Sequence, residues 1–231
     1  MPVAMIRAFL LSVAQLGDRR ILAVLGKSLA VTLLLFVALA AAFALGARAL
    51  VRDGLQWGSG VGDLAAAAAV VLTVGLAWLL FRAVAIAVTG IFADEVVAAV
   101  EARHYPAALA SARPVPFARG VAMGLASAGR VIGINLLLSP LYLLLLATGI
   151  GTAIAFFLVN GWLLGRDLGD MVAARHLPPG AMRGWRSTTG GGRLLLGLAG
   201  TGLLVVPLVN FIAPVLGAAM ATHWFHERRG R

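Results

Sequence analysis

Between Leu194 and Phe225 the chain carries two apolar runs, Leu194 to Val206 and Val215 to Phe225, separated by Pro207, Asn210 and Pro214. A helix rises about 1.5 Å per residue and a hydrocarbon core is about 30 Å thick, so neither run is long enough to cross a bilayer. Together they suit a helical hairpin that dips in and returns. Broken helices are tolerated at membrane depth only where protein or a water-filled cavity satisfies the freed backbone groups, and ion sites are commonly built there. The pattern points to membrane passage rather than to soluble catalysis.

Composition agrees. Of 231 residues, 61% are hydrophobic and only 12% charged, with a mean hydropathy of +0.97, outside the range of soluble globular domains. No polar block is long enough to fold separately, so a single membrane domain is expected over 1–231. The absence of cysteine removes disulfides, thiolate metal sites and cysteine nucleophiles. The 19 Lys and Arg residues lie mainly between apolar runs, as expected of cytoplasmic loops facing anionic headgroups rather than of a nucleic-acid binder.

Residues 1–16 form an amphipathic segment with Met5, Phe9, Leu10, Val13 and Leu16 on one face, suited to an interfacial helix or to packing on neighbours. Gly17 ends it, and Asp18 can cap the next helix. A first crossing is expected over 28–46, uncleaved despite its small residues near position 46, and the Gly-rich stretch Arg48 to Asp63 suits an external loop. The second crossing is expected over 64–92, its helix projecting on to Tyr105, where Pro106 stops it. Residues 121–164 are broken by Ser139 and Pro140 and by Gly149 and Gly151, and read as two crossings or a second re-entrant hairpin, followed by the hairpin at 194–225. Five arginines between Arg166 and Arg193 mark that side as cytoplasmic, and both termini are expected there.

Several polar residues stand out. Gly17, Arg19 and Arg20 open a helix with free amides beside two guanidinium groups, an arrangement that favours oxyanions, although it also suits anchoring to lipid phosphates. Arg82 lies within an apolar run, facing a cavity or partner, or snorkelling to the interface. Asn135, Asn160 and Asn210 also fall in apolar stretches, where their amides bridge helices or, for Asn135 and Asn210 with Arg82, line a polar path. His223 and His226 share a helix face, but no third ligand lies close in sequence and no metal is expected. Gly190 to Gly192 lacks the strand and the Lys-Ser/Thr pair of a phosphate loop and reads as a joint. No cofactor and no catalytic set is evident, so the chain does not read as an enzyme.

The runs FADEVVAAVEARHYP (Phe92 to Pro106), NGWLLGRDLGDMVAARHL (Asn160 to Leu177) and PLVNFIAPVLGAAMATHWFH (Pro207 to His226) resemble the CysZ sulfate permease family, the bacterial members of the etoposide-induced membrane protein group. The resemblance implies an all-α integral protein of the bacterial inner membrane, with two long transmembrane helices plus partly inserted helical hairpins. It further implies a homo-oligomer embedded in the lipid bilayer and associated with sulfate uptake. Family members bind sulfate at a Gly-Leu-Arg motif, often followed by a second Arg, before the first long helix. Gly17, Arg19 and Arg20 match that motif, with Asp18 in place of leucine. A permease for a small oxyanion is the expectation; the other reading is a non-transporting scaffold that shapes the bilayer.

Overall fold

The computed structural model describes residues 2–54, 71, 74–75 and 92–230, and among these it is built from helices without strands. Two compact units divide it: Met1–Leu22 with Ala93–Arg231, and Ala23–Phe92. The expected crossing at 64–92, with Arg82, lies almost wholly outside the described residues.

Helix α1 is Pro2–Gln15 and α2 is Arg19–Gly54. The second starts in the first unit and runs through the second. It continues past the expected end of the first crossing, because Ala47 to Arg52 contains no helix breaker and Gly54 is the first. Over Arg19–Ala42 it is long and apolar enough to span a bilayer, and Leu29, Leu33, Leu34 and Val37 are all exposed.

In the other unit, α3 covers residues 92–104, and α4 is Pro106–Ser111, with Pro106 in its first turn, where the missing N–H costs nothing. Helices α5 (Phe117–Leu145) and α6 (Gly151–His176) form a hairpin joined by a short 3-10 turn and Gly149 at φ +73°, a conformation glycine adopts without strain. Pro140 does not divide α5 as its position in the sequence suggests; the helix continues through it. The break falls at Gly149.

A short α7 (Ala181–Thr188) leads to α8 (Gly190–Val205), and α9 (Ala213–Arg229) returns against it. The α8–α9 turn holds Pro207, which cannot continue a helix, and Leu208 at φ 68°, rare for a bulky residue. Pro214 then starts α9.

Packing centres on α6 against α8. Gly161, Gly165 and Gly169 repeat every four residues on α6; Gly161 and Gly165 meet Gly197 of α8 at backbone distance, while Gly169 makes room for the Arg193 and Trp185 side chains. A Cβ at Gly165 would overlap the Arg193 carbonyl, and one at Gly197 would overlap the Gly161 carbonyl. Small residues at this spacing let two helices approach until their backbones touch. The pairing is antiparallel, with Phe157 beside Gly202 and Gly169 beside Arg193, so both hairpin tips point the same way.

Helix α9 is enclosed. Val215 to Phe225 are buried without interruption, within a core that includes Met5, Ala8, Val97, Val172, Leu196, Met220, Trp224 and Phe225. The buried face of α1 is Met5, Ala8, Ser12 and Gln15, packed on α9, whereas Leu10 and Val13, expected on the same face as Met5, are exposed beside Ile6. Apolar exposure concentrates on α5, where Leu125, Ile132, Leu136, Leu137, Leu143 and Leu144 are bare, and at the α8–α9 tip, where Val205, Leu208 and Phe211 are.

Candidate functional site

The turn between α1 and α2 brings the first candidate residues together. The Arg20 amide donates to Asp18 Oδ1 at 2.9 Å, and the Leu22 amide donates to the Asp18 carbonyl at 2.8 Å. Asp18 is therefore the helix cap, and its other oxygen accepts from Arg103 of α3 at 2.5 Å. The Arg103 guanidinium, then the Arg20 amide, hold this carboxyl below its usual range. One carboxylate thus stands among three guanidinium groups, those of Arg19, Arg20 and Arg103, for a local excess of two positive charges. Arg19 and Arg20 are exposed, and a side chain at Gly17 would meet only open space. The turn offers donors and positive charge to an anion, with its one acid already bound.

A second polar network lies at the charged end of the hairpins. Asp170 of α6 is buried and receives both Nε and Nη2 of Arg186, the latter at 2.8 Å, with Arg193 at 3.6 Å and Arg166 at 3.9 Å. Arg193 also donates to the Arg186 carbonyl at 2.6 Å and lies over the Trp185 ring. One turn earlier, Asp167 takes Arg130 of α5 at 3.2 Å and the Ser127 hydroxyl. These pairs join α5, α6, α7 and α8. Their geometry is that of a tie between helices, since each aspartate is met by side chains from neighbouring helices.

The third group was not legible in the sequence. Glu101 of α3 is wholly buried and accepts from His176 Nε2 at 2.6 Å and from His226 Nε2 at 3.0 Å, both on the same carboxylate oxygen. Arg175 stands 3.6 Å from the other oxygen and 3.9 Å from Asp94. Burial by itself would raise the Glu101 carboxyl, but the two imidazole hydrogen bonds and the charges of His176 and Arg175 outweigh it and hold the group at about 2. His223, paired in the sequence with His226, does not join it: Nδ1 of His223 meets the Tyr105 hydroxyl at 3.0 Å.

The asparagines are placed apart. Asn135 donates to the Val131 carbonyl of its own helix at 2.8 Å and accepts from Tyr142 at 3.2 Å, and Asn160 likewise donates to Phe156. Asn210 is exposed at the α8–α9 tip. Neither Asn135 nor Asn210 is drawn to the Arg19–Arg20 turn.

Residues 8–214 match the family model described as Sulfate transporter CysZ/Etoposide-induced protein 2.4. The chain belongs to that family. The matched span takes in the Gly17–Arg20 turn, the α5–α6 hairpin, α8 and Asp170 with its arginines, and stops at Pro214, at the start of α9. The family's description names a sulfate transporter. No curated protein matches the chain. Glu101, His176 and Asp170 had no local signature in the sequence, although Gly161, Gly165 and Gly169 offered a visible clue to the α6–α8 contact that brings Arg193 to Asp170.

Proposed function

We propose that the chain is an inner-membrane permease for a small oxyanion, sulfate by the family's description, with Gly17, Arg19 and Arg20 as its anion-binding turn on the cytoplasmic face. The observation that carries this reading is the state of Asp18. An acid inside an anion site would repel the ligand, but this one is spent as the α2 cap and as the partner of Arg103, leaving two exposed guanidinium groups at the helix start.

Membrane insertion of the hairpins is supported by the distribution of bare apolar surface. A soluble chain rarely leaves a contiguous apolar patch of more than a few hundred Å², whereas α5 exposes leucine and isoleucine along its length. At about 1.5 Å per residue α5 is long enough to cross, while the 16 residues of α8 reach only about 24 Å and suit a partial insertion. The charged ties around Asp167 and Asp170 would then lie toward the cytoplasm, with both termini, and the bare faces would meet lipid or further copies of the chain in a homo-oligomer.

Sulfate uptake into proteoliposomes tests it. Each charge-assisted hydrogen bond to an anion contributes about 1.5–3 kcal/mol, so Arg19→Ala with Arg20→Ala should lower uptake at subsaturating sulfate at least about tenfold. Equal uptake by the double variant and the wild type would reject the turn as the anion site. No uptake by either would favour the scaffold reading.

A further inference from the structure

The Glu101 cluster carries an inference independent of transport. Residues from α3, α6 and α9, separated by 75 and 125 positions, bring one carboxylate oxygen and two imidazole nitrogens to a point, with the three ligand atoms all within 4.8 Å of one another. Glu101 is fully buried, and the side chains of His176 and His226 are 2% and 8% exposed. We propose that Glu101, His176 and His226 bind one divalent transition-metal ion, with Zn2+ the best fit.

Four features of the geometry support it. The donor set is two imidazoles and one carboxylate, with no thiolate, which suits zinc and its neighbours and does not suit magnesium or calcium. Both Nε2 atoms aim at the same oxygen of Glu101 although its other oxygen has no hydrogen-bond partner among the described residues. That convergence on a single oxygen is what monodentate ligation by Glu101 would require. Both imidazole planes are braced, His226 stacked on Tyr105 at 4.5 Å and His176 on Phe225 at 5.4 Å, each pair 28° from parallel. Arg175, 3.6 Å from the free oxygen, occupies the place of the outer-shell partner that orients a ligating carboxylate.

The fit requires small movements. Ligand atoms about 2.0–2.1 Å from a tetrahedral ion stand roughly 3.3 Å apart, so the present 2.6 and 3.0 Å must open by roughly 0.7 and 0.3 Å. Each imidazole must also present its Nε2 lone pair, with the proton on Nδ1. Water or an anion would complete the coordination. An ion here ties α3 to α6 and α9, and so acts as a staple of the enclosed α9 core.

The test uses the full chain in detergent, its affinity tag cleaved and adventitious metal removed with a chelator. Calorimetric titration with ZnCl2 should give one ion per chain, and CoCl2 should give the visible absorption bands of low-symmetry, four- or five-coordinate Co2+. Glu101→Gln, His176→Gln and His226→Gln should each weaken Zn2+ binding by more than about 100-fold, beyond the usual loss from an outer-shell change, and abolish the Co2+ bands. His104→Ala, at an exposed neighbouring imidazole, should leave both readings unchanged. Absence of stoichiometric Zn2+ binding and of Co2+ bands in the wild type would overturn the proposal without recourse to any variant. So would wild-type affinity in the folded Glu101 or His226 variants.

Discussion

Asp18 carries two duties, and they separate cleanly by substitution. Asparagine keeps the acceptor that caps α2 but loses the charge facing Arg103. Because the folded-state carboxyl titrates below its ordinary value of 3.8, the contribution of its charge is fully present above that pH and is lost as pH falls through the lowered value. Asp18→Asn should therefore unfold at lower temperature than wild type near pH 7, and the gap should close in acid below pH 3.8; thermal scans in detergent at several pH values check both. Asp18 was legible in the sequence as a capping residue following Gly17. Its partner Arg103, 85 positions away, was not, since a salt bridge between α3 and the α1–α2 turn has no local signature.

At the scale of helices, the α6–α8 contact depends on glycine more than on any apolar side chain. Gly197→Ala drives a methyl into the Gly161 carbonyl and the Gly165 amide, so the helices must part along their length. The loss should be about 3 kcal/mol, the upper part of the usual range for overpacking, and would appear as a lower unfolding midpoint in denaturant or heat. Gly124→Ala on α5 meets open space and should cause no loss, since alanine is the better helix former. The Gly161–Gly165–Gly169 spacing was open to reading as a close-packing stripe. Pro140 misleads in the other direction: a proline inside an apolar run suggests a break, yet a helix absorbs one where neighbouring turns continue it, and the chain turns instead at Gly149, which takes a positive φ.

Across the whole unit, antiparallel packing of α6 on α8 sets both hairpin tips in one direction and both charged roots in the other. If the tips enter lipid, a fluorophore on a cysteine replacing Leu208 or Ile150 should be quenched by lipid-borne quenchers, and one replacing Arg183 by aqueous iodide. Quenching of the Leu208 and Ile150 labels by iodide alone would exclude insertion.

Local properties determined much of this in advance: the helices of the described residues, the Asp18 cap, the turns at Gly149 and Pro207, the family and the basic helix start at Arg19 and Arg20 follow from neighbours in sequence. Tertiary structure alone decided which apolar surface is covered. Hydropathy does not decide it: the run at 121–148 is the more apolar of the two, yet α5 is exposed, and α9, which carries Thr222 and His223, is the core. The same holds for Glu101, which finds His176 and His226 only because three helices converge, and the sum of those contacts is a property of the packed chain.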